Sequence, residues 1–278
     1  MSDEKNIVDI IPDRLNGFDT GIYSIMGTRD HQQDYAGIIG KKKGLAGIIC
    51  DGMGGLKGGE LASSISVNSF VSDYMDMIEG ETVEDFLMRE ADKMDELIFQ
   101  LTDSQGNNLK AGSTVVSVII EDLKLYWLSV GDSRIYILRN NSILQITRDH
   151  NYRMQLNELL KRGEISDERY ETESSGRQAE ALVSHLGMGG LKYIDRNTKP
   201  FPLEPDDVIL LCSDGLYKSL DDHQIMALLM DNKISSRVSA RRLVDMALAQ
   251  AVRGQDNTTV IVIHYTGEVE GGEADALL

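Results

Sequence analysis

The sequence predicts an α+β protein in which helices and antiparallel strands form separate blocks. Three observations favour this class over a doubly wound parallel sheet: helical periodicity before residue 102, closely spaced apolar runs over residues 111–146, and helical periodicity again after residue 220. The short breaks between the apolar runs join antiparallel strands, because a parallel crossover needs a dozen or more residues. A chain of 278 residues is long enough for one large domain with its own core.

The first elements along the chain are a strand and a pair of helices. The apolar run LAGIIC at residues 45–50 predicts a strand. Apolar residues then recur at steps of three and four, which is the spacing of one helix face. The two series are Val67, Val71, Tyr74 and Ile78, followed by Leu87, Ala91, Met94, Ile98 and Leu101. They predict two helices that pack antiparallel and are joined near Gly80.

The later elements are strands, a segment without regular pattern, and two further helices. β-Branched and aromatic runs over residues 111–146 predict a meander, and continuous apolar runs at residues 207–213 and 258–265 predict strands buried on both faces. Residues 163–200 lack steady periodicity, which indicates a surface subdomain or flap. Residues 221–231 begin with acids suited to a helix N-terminus, and residues 237–252 carry alanines and a valine along one face.

Composition narrows the classes of function. The net charge is −17, from 28 basic and 45 acidic residues, which argues against a nucleic-acid partner. No apolar run approaches the ~20 residues of a membrane helix, and the N-terminus lacks a signal pattern, so we predict a cytoplasmic protein without a membrane partner. Cys50 and Cys212 lie in apolar runs and predict buried thiols rather than a disulfide. The histidines show no zinc-ligand spacing, and four are interpreted as ordinary residues: His150, His185, His223 and His264.

The stretch GIICDGMGGLKGGELAS at residues 47–63 carries a carboxylate, Asp51, followed by a run rich in glycine. Glycine loses much backbone entropy on folding, and in return it allows close approach of the backbone to another group. The spacing matches neither the phosphate-binding P-loop nor the dinucleotide-binding fingerprint. An aspartate at a strand end, followed by a turn with exposed carbonyls, instead suits a hard divalent cation such as Mg²⁺ or Mn²⁺.

The pattern of an acid at a strand end recurs along the chain. Asp214 follows the apolar run that ends in LLCS, Asp256 stands just before TTVIVIHY, and Asp132 lies in a tight turn between two strands. Any one of these aspartates is typical of an ordinary turn or cap. Several carboxylates gathered at one sheet edge would repel one another, however, so together they indicate a site for cations.

Seven short motifs occur in an order that resembles the type 2C family of metal-dependent protein serine/threonine phosphatases, in its bacterial form. They are RDHQQD (29–34), DGMGG (51–55), GST (112–114), GDSR (131–134), ITRDH (146–150), SDGL (213–216) and GQDNTT (254–259). The resemblance covers nearly the whole chain. It implies a four-layer α-β-β-α sandwich, in which two antiparallel sheets are flanked by helix pairs and a two-metal centre lies at one end.

The resemblance also implies roles for individual residues. Asp51 would bridge two cations, with the carbonyl of Gly52, Asp214 and Asp256 completing the ligands of the first and Asp34 holding the second. Arg29 would bind the substrate phosphate, and Asp132 would bind a weaker third ion. Catalytic roles therefore fall to Arg29, Asp34 and Asp51, and metal ligation to Asp34, Asp51, Gly52, Asp132, Asp214 and Asp256. This hypothesis requires that Asp51, Asp214 and Asp256 come within reach of one ion.

The implied reaction is the hydrolysis of phosphoserine and phosphothreonine in proteins without a covalent intermediate. Two cations, Mn²⁺ or Mg²⁺, lower the pKa of a shared water and offset charge on the phosphoryl oxygens. Many eukaryotic members have histidine where this chain has Met53, so another group must protonate the leaving alkoxide. His31 is a rival acid, although an exposed loop histidine is the simpler interpretation.

Two alternatives stay open at this point: a phosphatase of the same fold that acts on a small metabolite, and a non-catalytic relative that serves as a regulatory module. The expected organisation is an N-terminal extension (1–20), a phosphatase domain (21–266) with the flap at 163–200, and an acidic C-terminal tail (267–278). The expected partners are phosphorylated protein substrates and an opposing serine/threonine kinase, with the enzyme itself a monomer.

Overall fold

A computed structural model describes residues 4–11, 15, 17–41, 44–54, 58–78, 80–230, 234–251 and 254–267. The strands in this part of the chain are β1 (Ile7–Ile10), β2 (Phe18–Ile25), β3 (Asp34–Lys41), β4 (Gly44–Met53), β5 (Gly112–Ser113), β6 (Val115–Glu121), β7 (Lys124–Val130), β8 (Arg134–Arg139), β9 (Ser142–Gln145), β10 (Asp195–Arg196), β11 (Phe201–Pro202), β12 (Val208–Cys212) and β13 (Thr258–Tyr265). The α-helices are α1 (Gly58–Met75), α2 (Val83–Phe99), α3 (Tyr152–Lys161), α4 (Asp167–Ser174), α5 (Asp214–Tyr217), α6 (Asp222–Leu229) and α7 (Ser236–Gln250).

The strands form two sheets. The first has the order β1-β3-β4-β6-β7-β10, with β5 beside β4 and β11 beside β7; the second has the order β2-β13-β12-β8-β9. Among the described strands every pair is antiparallel except β1 and β3, which are parallel. The exception is possible because the chain between β1 and β3 passes through β2 in the second sheet. β1 also lies within residues 1–20, where the sequence predicted an extension.

The hydrophobic core has three parts that separate four layers, as the four-layer sandwich requires. One part lies between the sheets and includes Ile49, Val118, Ile209 and Ile261. A second packs the other face of the first sheet against α1 and α2, and a third packs the second sheet against α5, α6 and α7. Strands β12 and β13 are buried almost throughout, as their continuous apolar runs predicted.

The predicted meander over residues 111–146 is wrong in one connection. β6 pairs with β7 and β8 pairs with β9, as expected from the short breaks. β7 and β8, however, belong to different sheets, and the turn at residues 131–133 carries the chain from one sheet to the other. A short break constrains the length of a connection but not the sheet in which the next strand finds its partner. Because of this crossing, Asp132 lies where the two sheets meet.

The predicted helices are confirmed except at the end of the first series. α1 begins nine residues before Val67 and ends at Met75, so Ile78, the last position of that series, lies outside the helix and is 66% exposed. The short connection around Gly80 leads from α1 into α2, and the Phe70 and Phe86 rings pack edge to face with centroids 5.6 Å apart. α2 begins after Thr82, whose hydroxyl accepts the backbone N–H of Asp85 at 3.1 Å. This capping satisfies one of the free N–H groups of the first turn.

The segment 163–200 lies on the surface and returns to the first sheet. Helix α4 has no buried residue, whereas β10 adds to the edge of β7. The loop before β10 is held by Asp95 of α2, whose carboxylate accepts the backbone N–H groups of Gly187, Met188 and Gly190 at 2.6–2.9 Å. The flap is thus anchored at its C-terminal side.

Two further predictions concern the acidic C-terminal tail and the expected lack of a membrane-spanning helix. Residues 268–278 of the predicted acidic tail lie outside the described residues, so the tail stays a prediction. In the parts of the chain that the structure describes, no helix combines the length and apolarity needed to cross a membrane.

Candidate metal centre

Two of the predicted site residues lie opposite each other at one end of the first sheet. Asp34 begins β3 and Asp51 lies near the end of β4, and the antiparallel register pairs their Cα positions directly. The backbone N–H of Asp51 donates to the Thr114 hydroxyl at 3.1 Å, and its carbonyl accepts the N–H of Thr114 at 2.8 Å. The GST motif therefore has a structural role: it fixes the backbone of Asp51.

The second sheet supplies two more acids at the same end of the molecule. Asp214 follows β12 at the start of α5, and Asp256 precedes β13, the neighbour of β12. A Cβ atom at Gly215 would lie 2.2 Å from the carbonyl oxygen of Asn257, so only glycine lets the start of α5 pack this closely against the chain beside Asp256. The Asp-Gly pair of the SDGL motif thus brings two sequence-distant carboxylates together.

Asp132 is the fifth acid, in the turn between β7 and β8. Its backbone carbonyl accepts the Tyr217 hydroxyl at 3.0 Å, which ties the turn to α5. The Arg134 guanidinium lies 3.5 Å from the centroid of the Tyr217 ring and donates twice to Asp149, at 2.9 and 2.7 Å. The Gly131 N–H donates to Nδ1 of the fully buried His150 at 3.2 Å. His150 therefore supports the turn that carries Asp132.

The buried carboxylate of Asp34 joins the two sheets. Its Oδ2 accepts the Ser213 hydroxyl at 2.7 Å, whereas Oδ1 has no hydrogen-bond partner among the described residues. The pKa of Asp34 is raised from 3.8 to about 7, chiefly by burial and also by the negative charges of Asp214 and Asp256, against the hydrogen bond from Ser213. A buried, incompletely paired carboxylate oxygen of this kind suits a cation ligand.

The other buried acids are perturbed for the same reasons. Burial raises the pKa of Asp51 well above its usual range, and the charges of Asp34, Asp214, Asp132 and Asp256 add to the effect. The pKa of Asp132 is also raised to about 7, chiefly by burial and then by the charge of Asp214, against the opposing charge of Lys218. The charges of these five aspartates therefore act on one another. Four of them are the acids that the sequence pattern singled out, whereas Asp34 was named only by the family resemblance.

Two carboxylates of this acid cluster form ion pairs with basic residues of the chain itself. Arg29 Nη2 donates to Asp256 Oδ2 at 2.5 Å, and Lys218 Nζ pairs with Asp214 Oδ2. Within the described ranges, no three Asp, Glu, His or Cys side chains are arranged around one point as the ligands of a single ion. The close convergence of Asp51, Asp214 and Asp256 that the sequence hypothesis requires is thus absent from these side-chain positions, although the backbone brings the acids to one end.

The donors nevertheless fit divalent cations in their chemistry. Carboxylate oxygens are the preferred ligands of Mg²⁺ and Mn²⁺, and a cation would relieve the repulsion that raises these pKa values. A cleft of about 610 Å³ opens beside the acids and is lined by Arg29, Lys218 and Asp256 among others. The side chain of Arg29 is 60% exposed, so it can reach a bound substrate.

The glycine-rich turn after Asp51 has a packing role that the metal hypothesis did not anticipate. A Cβ atom at Gly52 would lie 2.0 Å from the carbonyl oxygen of Gly59 and 2.8 Å from that of Gln33. Glycine is required here because β4 ends against the first turn of α1 and against the segment before Asp34. The structure thus shows that Gly52 permits close backbone packing against Gly59 and Gln33. Ligation of a metal by the Gly52 carbonyl stays a prediction. Gly55 and Lys57 of this turn lie outside the described residues.

Sequence reasoning missed the residue that ties the Arg29 loop to the second sheet. The Asn257 side chain accepts the Gln33 N–H at 2.8 Å and donates to the carbonyls of Met26 and His31 at 2.8 and 3.0 Å. Its neighbour Gln255 donates to the Gly215 carbonyl at 2.7 Å. Both lie in the GQDNTT motif, and amides that flank the predicted ligand Asp256 were the available signal.

The sequence also yielded predictions for Met53, His31 and the two cysteines, which concern their exposure and bonding. Met53 is half-buried at the end of β4, and His31 is exposed, as its interpretation as a loop histidine expected. Cys50 and Cys212 are buried and form no disulfide in the described chain.

Comparison with known proteins identifies the family. The family model described as "Protein phosphatase 2C" matches residues 24–253. The chain is 29% identical over 250 residues to the serine/threonine phosphatase stp of Listeria welshimeri, covering 88% of this chain and 95% of that protein. It is 32% identical over 202 residues to a putative protein phosphatase of Mycoplasma pneumoniae, covering 69% of this chain and 76% of the relative.

Solved structures agree with this assignment. The S. agalactiae serine/threonine phosphatase superposes with a TM-score of 0.76 at 25% identity, over 88% of this chain and 98% of that one. The Mycobacterium tuberculosis phosphatase PstP/Ppp superposes with a TM-score of 0.72 at 26% identity, over 89% and 98%. A structure of the PstP catalytic domain described as a complex with two manganese ions shares the fold, with a TM-score of 0.68 at 24% identity. The ordered motifs, the layered fold and these matches agree that the chain belongs to the protein phosphatase 2C family of metal-dependent serine/threonine phosphatases.

Proposed function

We propose that the chain hydrolyses phosphoserine and phosphothreonine in proteins at a centre of two divalent cations, Mn²⁺ or Mg²⁺, held by the acid cluster. The single observation that carries this proposal is the buried carboxylate of Asp34, which interacts with the charges of Asp51, Asp214 and Asp256 and leaves Oδ1 unpaired within the described residues. The manganese ions of the PstP catalytic domain support the same choice of cofactor.

Each residue of the cluster has a distinct task in this proposal. Asp51 lies centrally, interacting with the other four acids, and would bridge the two ions. Asp214 and Asp256 would bind one ion together with the Gly52 carbonyl, and Asp34 would hold the other. To bind an ion, Asp256 and Asp214 would have to give up their present partners, Arg29 and Lys218.

That exchange frees Arg29 for the substrate. Its guanidinium is exposed at the cleft, and its planar fork can donate to two phosphoryl oxygens at once. The ions, when bound, supply a polarised water and offset negative charge on the phosphoryl group. Water attacks phosphorus, the bond from phosphorus to the serine or threonine oxygen breaks, and the products are a free hydroxyl and inorganic phosphate.

The test compares substrates and metals directly. Purified protein is assayed on a phosphothreonine peptide with Mn²⁺, with Mg²⁺ and with a chelator, beside an Asp214→Asn variant. We expect turnover only with added metal and loss of that turnover in the variant. Activity that survives the chelator would refute the metal centre, and faster turnover of small phosphorylated metabolites than of phosphopeptides would refute the protein substrate.

The same proposal includes the setting of the enzyme. Phosphorylated proteins imply a serine/threonine kinase that acts in opposition, and we propose that the enzyme acts as a monomer in the cytoplasm. These three points rest on the sequence and on the phosphatase assignment, and size-exclusion chromatography with light scattering tests the monomer.

A further inference from the structure

His185 is a half-buried histidine of the surface segment 163–200, and none of the roles proposed above uses it. Its neighbour Leu186 forms an antiparallel bridge with Ser113 of β5. The Leu186 N–H donates to the Ser113 carbonyl at 2.8 Å, and the Ser113 N–H donates to the Leu186 carbonyl at 3.2 Å. The histidine is thereby held beside β5, which pairs in turn with the end of β4.

The imidazole of His185 covers the glycine of the GST motif. A Cβ atom at Gly112 would lie 2.8 Å from Nδ1 and 3.0 Å from Cε1 of this ring, so glycine is the residue that leaves room for it. Gly112 lies directly opposite Met53 in the pairing of β5 with β4. Because opposite residues of an antiparallel pair have their side chains on one face, the ring lies on the face of Met53.

That face is also the face of Asp51. Side chains alternate between the two faces of a strand, so Ile49, Asp51 and Met53 of β4 share one face. Ile49 belongs to the core between the two sheets, whereas Cys50 belongs to the core against α1 and α2. The His185 ring therefore lies on the side of the first sheet that carries the Asp51 carboxylate, two positions further along β4.

The His185 ring has one nitrogen that is held and one that is free to act. Nδ1 lies 2.8 Å from the Leu186 carbonyl oxygen, and because a carbonyl oxygen can only accept, Nδ1 carries a proton. Nε2 has no hydrogen-bond partner among the residues that the structure describes. This second nitrogen can therefore take up a proton and donate it to another molecule.

The leaving alkoxide of serine or threonine needs a proton as its bond to phosphorus breaks, and the thioether of Met53 cannot supply one. We propose that His185 is the catalytic acid and that its Nε2–H donates to the serine or threonine oxygen. This inference rests on the proposed function. The attacking water loses a proton, which returns to the imidazole through solvent. The histidine is thus unchanged over the cycle, and the products are a free hydroxyl and hydrogen phosphate.

An acid that acts on the leaving oxygen has an effect that depends on the leaving group. An alkoxide requires the proton, whereas p-nitrophenolate is a much weaker base and can leave without it. Loss of the acid should therefore slow hydrolysis of a phosphothreonine peptide and leave that of p-nitrophenyl phosphate nearly unchanged. A histidine with only a structural role would slow both reactions equally.

The experiment measures kcat/KM with Mn²⁺ on these two substrates. The first variant is His185→Asn, whose amide N–H can keep the bond to the Leu186 carbonyl, and His185→Gln replaces it if it does not fold. The double variant His185→Asn with Met53→His returns an imidazole to the same face. His31→Gln tests the rival acid. His264→Gln is the matched control, because this half-buried histidine lies near the end of β13 that is away from the acids.

We expect kcat/KM on the peptide to fall at least about 100-fold in His185→Asn, and that on p-nitrophenyl phosphate to fall less than about threefold. The double variant should regain at least about tenfold on the peptide, and His31→Gln and His264→Gln should stay near wild type. Equal losses on both substrates, an unchanged peptide rate, no recovery in the double variant, or the same selective loss in His31→Gln would overturn the inference. A wild type without Mn²⁺-dependent turnover of the peptide would instead overturn the proposed function, so the two failures are distinguishable.

Discussion

Asn257 offers the sharpest test of how the fold assembles the metal centre. Its amide joins the chain beside Asp256 to the loop that carries Arg29 and leads into Asp34. Asn257→Ala removes three hydrogen bonds without touching a predicted ligand. We expect the variant to fold, to bind Mn²⁺ more weakly and to lose kcat/KM.

The size of the effect follows from the bonds removed. Each hydrogen bond contributes about 0.5–1.5 kcal/mol to the free energy of unfolding. The cost lies at the upper end of this range when a buried group is left without a partner. Asn257 is 5% exposed, so the free energy of unfolding should fall by roughly 2–4 kcal/mol. If about 1.4 kcal/mol of this energy serves to order the Arg29 loop, kcat/KM falls about tenfold.

A matched control variant separates the effect on the metal centre from a general loss of stability. The Asn197 side chain also makes three bonds of this kind: it accepts the Trp127 N–H at 3.1 Å and donates to the carbonyls of Leu125 and Lys199 at 2.9 and 3.0 Å. These bonds lie at the start of β7, away from the acids. Urea unfolding, Mn²⁺ titration and phosphopeptide kinetics are measured for Asn257→Ala and Asn197→Ala together.

The expected outcome is that both variants lose stability but only Asn257→Ala loses metal affinity and kcat/KM. If Asn257→Ala retains both at the wild-type level, or if Asn197→Ala loses them equally, the loop does not depend on Asn257 and the reasoning is refuted.

Three further predictions concern the acids and Arg29. Asp51→Ala should abolish Mn²⁺-dependent turnover and Asp132→Ala should reduce it less, since Asp51 interacts with each of the other four acids and is the proposed shared ligand; the reverse order in kcat would contradict this. Arg29→Ala should chiefly raise KM for phosphopeptides, with partial recovery in Arg29→Lys, and an unchanged KM would remove Arg29 from phosphate binding. Without metal, the folded state binds more protons than the unfolded state between about pH 4 and 7, because the pKa of Asp34 is raised from 3.8 to about 7. Stability should therefore fall as pH rises through this window, by about 2 kcal/mol more for wild type than for Asp34→Asn between about pH 5.5 and 7.5 in urea unfolding. Equal slopes for the two proteins would show that Asp34 does not titrate in this way.

The sequence by itself determined the elements and the chemistry of this protein. Strands β12 and β13 and helices α1 and α2 were predictable because their apolar periodicity depends on which face is buried, and this is a local property of the chain. The acids at strand ends, with their motif order, likewise indicated a cation-dependent phosphatase before any contact was known.

Only the tertiary structure decided which of these residues meet and what pairs with them. The crossing between β7 and β8, the link from Ser213 to Asp34 and the role of Asn257 join segments up to 231 residues apart, and no local pattern encodes such a partner. The pairing of Asp214 with Lys218 could be suspected from their four-residue spacing, yet the contact between Tyr217 and the Asp132 carbonyl depends on how α5 packs. Local patterning follows from burial of one face, whereas the partners within a site follow from the packing of the whole chain.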